Sequence, residues 1–215
     1  MSGRRRPPQR GRRQGGRPPA GRGQRGTTPR RGGGGEQRTD RPRGPGGDHV
    51  EGRHAVRELL LAGTRKTREV IFAADLDPAP ILDEIVQLAD EARVELREVP
   101  RGKFEAMTKT DAPQGVMALA QPLTDHSLED LVSPRDGRPP FLLVLDGITD
   151  PGNLGALLRT GECAGVTGVV LPRHRSARIT PTVTKSAAGA IEHLPMATVS
   201  GIPKALGDLE AAGVW

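Results

Sequence analysis

Apolar residues in the chain occur in two patterns, short unbroken runs and helical spacing, and their alternation is typical of an α/β protein. The clearest run is residues 141–145, FLLVL, which has strand length. An unbroken run favours a strand buried on both faces of a parallel sheet. Residues 154–164 then show helical spacing, which predicts a helix with Asn153 as its N-cap. Residues 169–171 begin the next strand.

The first half of the chain repeats this alternation with shorter elements. Apolar positions 55, 56, 59 and 60 share one helical face and predict a short helix that Gly63 ends. The other predicted elements are strands at 69–73, 93–99 and 116–120 and helices at 81–89 and 103–107. Together they predict an αβαβαβ layer of about 70 residues, a size typical of one small domain.

Polar, proline-bearing residues separate this layer from the second half. We predict an interdomain linker at 122–139, with one helical turn at 128–132. The resulting divisions are a tail at 1–47, a first domain at 48–121 and a second domain at 140–215. Within the second domain the pattern further predicts a helix starting at Pro181, a strand at 196–199, a helix at 203–212 and the start of another strand at 214–215.

Charge is distributed very unevenly along the chain. Residues 1–47 contain 14 arginines and two acidic residues, a net charge of +12, and because the whole chain carries +6, residues 48–215 carry −6. The tail has almost no apolar residues, so we expect it to be disordered. It is either a solubilising extension or a non-specific RNA tether, in which arginines neutralise phosphates and release counterions.

Composition excludes several other classes of function. Aromatic residues make up 2% of the chain, with no Tyr and one Trp, so recognition of bases on an aromatic platform is not expected. The single cysteine, Cys163, excludes an internal disulfide and favours a reducing compartment. No apolar run approaches transmembrane length. We therefore expect a soluble, cytoplasmic protein.

The segment at 146–160, DGITDPGNLGALLRT, resembles the first motif of the SpoU (TrmH-type) RNA methyltransferases. Its matching positions are Asp150, Pro151, Asn153, Gly155, Ala156, Arg159 and Thr160. Members of that family transfer a methyl group from S-adenosylmethionine to a ribose 2′-hydroxyl in RNA. The resemblance implies a SPOUT-type α/β-knot methyltransferase domain with S-adenosylmethionine as cofactor.

The first half resembles the substrate-binding domain of the same family, which is of ribosomal-protein type. Gly52, His54, Ala55 and Val56 match its start, and Gln114-Gly115 match its end, although Pro113 replaces the family's usual His. The two-ended match points to the RlmB-like branch, which methylates a guanosine of 23S ribosomal RNA. The resemblance implies RNA binding, for which the candidate phosphate contacts are Arg53, Arg57, Arg65, Lys66, Arg68, Arg101, Lys103 and Lys109. Each of these is also an ordinary charge for the surface of a small domain.

The resemblance also assigns roles in catalysis. The family's counterpart of Arg159 activates the hydroxyl, and the counterpart of Asn153 organises the active-site loop. A guanidinium is almost never deprotonated, so we expect Arg159 to grip a phosphate and stabilise the developing oxyanion electrostatically. Alternatively, Arg159 forms a surface ion pair with Glu162, and Asn153 is only a helix cap. The predicted RNA-binding residues are Arg53, His54, Arg173, Arg175 and Arg178.

Two later family motifs, a Gly-x-Glu-Gly loop and a Ser-Leu-Asn-Val-Ser segment, are absent up to Trp215. They form the donor-binding knot in the family, so the cofactor-binding residues are unknown, and we expect the chain to cover the RNA-binding half and the first part of the catalytic domain. We assign no metal, because His54 and His174 lack ligand spacing with Cys163. The resemblance further implies a homodimer.

Three functions remain open at this point. The first is an RNA 2′-O-methyltransferase acting on ribosomal RNA. The second is a non-catalytic RNA- or ribosome-binding module, and the third is methylation of transfer RNA by the same chemistry. Glu192 could orient RNA or cofactor, but a structural hydrogen bond is an equal alternative.

Overall fold

The computed structural model describes residues 45–135 and 137–215. The predicted disorder of the tail concerns residues that lie, apart from 45–47, outside this part of the chain. Within it the chain forms two α/β layers, each with its own sheet. No helix among the described residues combines the length and apolarity needed to cross a bilayer.

The first sheet has the strand order β1-β4-β2-β3, in which β2 and β3 are parallel and the other pairs antiparallel. Its elements in chain order are β1 (His49–Glu51), α1 (Arg53–Ala62), β2 (Thr67–Ala73), α2 (Pro80–Glu91), β3 (Glu95–Val99), α3 (Arg101–Met107) and β4 (Val116–Ala120).

Strands β2 and β4 are apolar on both sides, so helices cover both faces of this sheet. Val70 points to the face covered by α1 and α2, whereas its neighbour Ile71 points to the face covered by α3 and Phe104. This alternation follows from the two-residue period of a strand. The sequence prediction missed β1, because its three residues include two polar ones, His49 and Glu51.

The second sheet has the order β5-β8-β7-β6 and is entirely parallel. Its elements are β5 (Asp125–His126), α4 (Leu128–Val132), β6 (Leu142–Val144), α5 (Pro151–Cys163), β7 (Gly168–Pro172), α6 (Pro181–Ser186), the 3-10 helix η1 (Ala190–Glu192), β8 (Met196–Val199) and α7 (Ile202–Ala211). Helices α5 and α6 pack on one face of the sheet, and α4 and α7 on the other. The α/β fold class is thus confirmed.

Three details of the second layer differ from the sequence predictions. Strand β6 lies at the edge of the sheet and its residues are only half-buried, so it is not the strand buried on both faces that its unbroken apolar run predicted. The expected linker contributes β5 and α4 to this layer. Residues 214–215 form no strand: Val214 packs beside α7, and Trp215 is fully exposed.

The two layers pack through α1 and β1 on one side and α6 and η1 on the other. The main polar contact is a buried ion pair in which the Arg65 guanidinium donates to both Glu192 carboxylate oxygens, at 2.9 and 2.6 Å. Arg65 also donates to the carbonyls of Gly47 and Gln121. Beside this pair, His193 Nε2 lies 3.1 Å from Glu58 Oε2.

Candidate active site

Helix α5 begins directly after the loop at the carboxyl end of β6. Asp150 is its N-cap, and its carboxylate accepts a hydrogen bond from the Asn153 backbone N–H at 2.7 Å. Pro151 occupies the first helical position, where its missing N–H and fixed φ are favourable. The prediction that Asn153 caps the helix is therefore wrong: Asn153 lies in the first turn, and its side chain is not the cap.

Asn153 and Arg159 both lie on the solvent-exposed side of α5. They are six residues apart, which in an α-helix is about 9 Å along the axis and about 120° around it. Ala156 lies between them and is also exposed, whereas Leu154 and Leu158 face the core. The two candidate catalytic side chains thus border one open surface, on which nothing among the described residues covers them.

The alternative ion pair of Arg159 with Glu162 does not form. Among residues 45–135 and 137–215, Arg159 has no salt-bridge partner, and Glu162 instead accepts a weak contact from the Cys163 thiol at 3.7 Å. An exposed guanidinium without an internal partner is available to bind an anion.

A basic loop follows β7 and lies beside the loop that precedes α5. The carbonyl of Ile148 accepts hydrogen bonds from the Ala177 N–H at 2.7 Å and the Ser176 hydroxyl at 3.1 Å. These bonds join the two loops at the carboxyl edge of parallel strands β6 and β7, the edge where ligands bind in open α/β sheets. Arg173, Arg175 and Arg178 are exposed on this loop.

The remaining predicted RNA-binding residues, Arg53 and His54, begin α1 in the first layer. His54 is exposed, and Arg53 is half-buried because its Nε donates to the Gln114 carbonyl at 3.1 Å. The Gln114 side chain in turn accepts from the Arg53 backbone N–H. Lys185 of α6 packs beside Gly52, next to this pair. Sequence reasoning gave no role to Lys185, since only the packing of α6 on β1 reveals its position.

Several cationic side chains proposed from the sequence as phosphate contacts instead have ion-pair or hydrogen-bond partners within the protein. Arg65 belongs to the buried pair with Glu192, so that prediction is wrong, and Glu192 has the structural role. Arg57 pairs with Glu84 and Glu58, and the hydrogen bond that Arg57 donates to Glu84 raises the pKa of Arg57. Arg101 pairs with Glu105, and Arg68 donates to the Ala120 carbonyl. Lys66, Lys103 and Lys109 are exposed.

Four cavities characterised among the described residues have no lining residue from α5. The largest of those characterised has a volume of about 630 Å³ and lies wholly in the first layer. Others of about 440, 390 and 340 Å³ are also lined by residues other than Asn153 and Arg159. No group of three His, Cys, Asp or Glu side chains in residues 45–135 and 137–215 is arranged to hold a metal ion.

Two family models match the chain, and together they cover both layers. The model for RNA 2′-O ribose methyltransferase substrate binding matches residues 49–126, and the model of the SpoU rRNA Methylase family matches residues 140–215. An RlmB protein of Pseudomonas putida, named as a 23S rRNA (guanosine-2′-O-)-methyltransferase, is 37% identical over 171 residues, covering 78% of this chain and 68% of the relative. The chain belongs to the SpoU family.

Other SpoU relatives agree in identity and coverage. An RlmB protein of Pseudomonas syringae is 36% identical over 171 residues, 78% of this chain and 67% of its own. A TrmH-family relative of Staphylococcus saprophyticus is 34% identical over 169 residues, 77% of this chain and 66% of its own, and its name leaves tRNA and rRNA open. The chain therefore spans about two thirds of the length of these relatives.

Solved SpoU structures share the fold. AviRb of Streptomyces viridochromogenes in complex with AdoMet aligns with a TM-score of 0.59 at 19% identity, over 76% of this chain and 59% of AviRb. An RNA 2′-O ribose methyltransferase aligns with a TM-score of 0.56 at 25% identity, over 77% of this chain and 59% of that one. The chain thus shares the fold of these structures, and its family is that of the SpoU methyltransferases, of which AviRb was solved with AdoMet bound.

Proposed function

We propose that this protein methylates the ribose 2′-hydroxyl of a guanosine in 23S ribosomal RNA. Two relatives that carry this name, at 37% and 36% identity, support the choice of substrate. The observation that carries the proposal is the exposed, unpaired Arg159 on α5, a helix whose preceding loop is hydrogen-bonded to a basic loop at the carboxyl edge of a parallel sheet.

Arg159 is the proposed catalytic residue. A ribose hydroxyl is a weak nucleophile until its proton leaves or its forming negative charge is stabilised. A guanidinium remains protonated and cannot act as the base, but it donates hydrogen bonds in a planar fork. We assign it to hold the phosphate next to the target ribose and to stabilise the developing oxyanion, while the proton passes to that phosphate or to water.

Asn153 and the basic loop position the RNA. The backbone N–H of Asn153 donates to the Asp150 carboxylate and so fixes the first turn of α5. The Asn153 side-chain amide therefore starts from a fixed backbone position next to the loop that precedes α5. Arg173, Arg175 and Arg178 lie on the neighbouring loop, where they contact the phosphates on either side of the target nucleotide. Proximity and orientation account for much of the rate in a transfer of this kind.

The methyl donor supplies an electrophilic methyl group when bound. None of the four cavities described above is lined by Asn153 or Arg159, so none of them is a donor site beside the proposed catalytic pair. The described residues form one open side of the reaction site and do not by themselves fit the donor.

The test is methyl transfer from labelled S-adenosylmethionine to 23S rRNA transcripts by the full-length protein. We expect label on a guanosine 2′-oxygen, located by digestion to nucleosides and by alkali-resistant linkages. Label on a base would overturn the proposal. If the two RNAs compete and the label goes to tRNA in preference to rRNA, the proposed reaction would stand and the proposed substrate would be wrong.

A binding module without catalysis is the contrasting function. It predicts that full-length protein binds rRNA and transfers no label under conditions in which a known SpoU enzyme is active. We further propose, from the family resemblance and the single cysteine, that the protein is a homodimer in the cytoplasm. Light scattering of the full-length protein and cell fractionation test these two points.

A further inference from the structure

The first layer contains a cavity that the proposed reaction does not use. It lies at the carboxyl ends of parallel strands β2 and β3, has a volume of about 630 Å³, and falls within the range of small-ligand pockets. Its apolar wall includes Ala73, Leu76 and Phe104. Four carboxylates line it: Asp75 and Asp77 from the loop after β2, Asp111 from the loop after α3, and Glu105 of α3, which pairs with Arg101.

The loop that closes this cavity, residues 109–115, is anchored at both ends. At one end, fully buried Glu51 accepts hydrogen bonds from the backbone N–H groups of Lys109 at 2.7 Å and Thr110 at 3.1 Å. At the other end, Arg53 and Gln114 exchange two hydrogen bonds of 3.1 Å. A buried carboxylate and an arginine thus fix the shape of a loop that would otherwise be free to move.

Within this loop the backbone adopts conformations that residues with a side chain rarely adopt. Ala112 has φ of 128°, and Gln114 has φ of 57°. On the opposite rim, Asp75 has φ of 59°. Backbone strain of this kind persists only where the surroundings enforce it, and it clusters at ligand-binding sites. Here the anchors enforce it around a cavity.

The cavity also has a defined place relative to α5. Gly155 of α5 packs against Ser186 of α6, and Lys185 on the same helix packs beside Gly52, whose neighbour Arg53 lines the cavity. Helix α6 therefore contacts both the candidate catalytic helix and the segment that precedes Arg53 at this pocket. A single-stranded RNA that crosses α6 past Lys185 would connect the open surface of α5 with the pocket.

We infer that this cavity holds an unstacked guanine of the RNA substrate, close in sequence to the methylated nucleotide. That the ligand belongs to an RNA rests on the proposed function. That the ligand is a base rests on the chemistry of the cavity. A purine needs an apolar wall for its ring and hydrogen-bonding groups for its edge. Guanine alone among the four bases presents two adjacent donors, N1–H and N2–H, on its Watson–Crick edge, and a carboxylate accepts two parallel hydrogen bonds.

The test uses the isotope-labelled 215-residue chain with guanosine 5′-monophosphate and adenosine 5′-monophosphate as probes, without methyl donor. We expect guanosine monophosphate to shift the backbone amide resonances of residues 75–77 and 108–115, and to bind about tenfold more tightly than adenosine monophosphate. The triple variant Asp75→Asn, Asp77→Asn and Asp111→Asn keeps the shape of the rim and should lose this preference. Asp90→Asn, an exposed carboxylate on α2, is the matched control.

Each outcome decides the inference. Equal binding of the two nucleotides, or shifts confined to residues outside the cavity, would overturn it. If the triple variant does not fold, the single variants Asp75→Asn and Asp111→Asn at exposed positions serve instead. Guanine-selective shifts without any methyl transfer would contradict the proposed enzymatic function and support the guanine pocket. Methyl transfer without such shifts would contradict the guanine pocket alone.

Discussion

At the scale of single residues, pairing within the protein separates structural from functional charges. Arg65 and Arg57 have acidic partners at buried and half-buried positions, and Arg101 pairs with Glu105 on the surface. Arg159 has no such partner among the described residues and lies on an exposed helix face. The sequence alone could not make this distinction, because the partner of Arg65 is 127 positions away.

Replacing Arg159 tests its proposed role most directly. Arg159→Ala should lower kcat for methyl transfer by about 100- to 1000-fold, since a positioned donor to a developing oxyanion is lost. Arg159→Lys should recover only part of the rate, because an ammonium lacks the planar fork. Rates and KM for rRNA would be measured in the full-length protein.

Lys204→Ala is the control for this experiment, because Lys204 is also an exposed helical cation but pairs with Asp208 on α7. It should leave the rate unchanged. A rise in KM with unchanged kcat in Arg159→Ala would show that the side chain only binds RNA and is not catalytic.

His49 predicts a pH dependence of stability. Burial lowers the pKa of His49 below its ordinary value of 6.5; among nearby charges Glu51 and Asp48 act against this and Lys109 adds to it. His49 Nε2 lies 3.0 Å from Glu51 Oε1, yet no hydrogen bond forms between them in the described structure. The unfolded chain therefore binds a proton at a higher pH than the folded chain does.

Stability from this residue is fully present above pH 6.5 and is lost as pH falls from there through the lowered pKa. His49→Gln should reduce that loss. Urea midpoints for both proteins between about pH 5 and pH 8 measure the difference. Parallel pH profiles for the two proteins would show that His49 does not titrate in this way.

At the scale of elements, close packing of α5 on α6 depends on one glycine. A Cβ on Gly155 would lie 2.9 Å from the Val183 carbonyl oxygen and 3.0 Å from the Ala187 nitrogen, both backbone atoms that cannot rotate away. The glycine thereby brings the candidate catalytic helix against the helix that carries Lys185. The motif match alone does not reveal this packing role of Gly155, and the structure shows it.

Gly155→Val should therefore lower the free energy of unfolding by about 1–3 kcal/mol through overpacking. Gly207→Ala is the matched control, because Gly207 lies within α7 and a Cβ there meets nothing within 4 Å. That change should raise stability by about 0.5–1 kcal/mol. Urea denaturation of both variants measures the contrast, and a neutral Gly155→Val would mean that α5 and α6 separate freely.

Strong periodic patterns predict well where an element lies. They predict poorly where a helix begins and which strands are neighbours in a sheet. The buried face of α1 and the bounds of β4 and β8 follow the predictions residue by residue. The start of α5 was misplaced because Asp150 and Pro151 form a better helix start than Asn153 does. The apolar run of β6 could not reveal that this strand lies at an edge, since strand order is set by tertiary packing.

At the scale of the whole molecule, one buried ion pair joins the two family domains. The side chains of Arg65 and Glu192 are 5% and 1% exposed, respectively. Water therefore cannot solvate either charge in place of its ion-pair partner. Glu192 follows α6 in sequence, and Arg65 follows α1. The pair thereby ties the RNA-binding layer to the helices beside the candidate active site.

Glu192→Gln should lower the free energy of unfolding by about 3–5 kcal/mol, because it leaves the Arg65 charge buried and uncompensated. The double variant Arg65→Met, Glu192→Leu should recover much of this loss. Asp208→Asn breaks an exposed pair and should cost no more than about 1 kcal/mol. Similar effects of Glu192→Gln and Asp208→Asn would show that the interface is hydrated.

The basic tail gives the last prediction. Residues 45–47 hydrogen-bond with Ile179 and Leu123, so a deletion that spares the fold removes residues 1–44 and all 14 arginines of the tail. RNA affinity should fall, and its dependence on salt concentration should become shallower, equally for target and non-target RNA. Titrations at several salt concentrations measure the slope, and an unchanged slope would leave the tail as a solubilising extension.

The exposed position of Trp215 decides what fluorescence can report on this chain. Trp215 is the only tryptophan, and the chain has no tyrosine. Because the indole is already fully in water in the folded chain, its emission should barely change when urea unfolds the core. A shift of that emission to shorter wavelength would instead signal that another surface has covered the indole, so the 215-residue chain reports its own association without an added label.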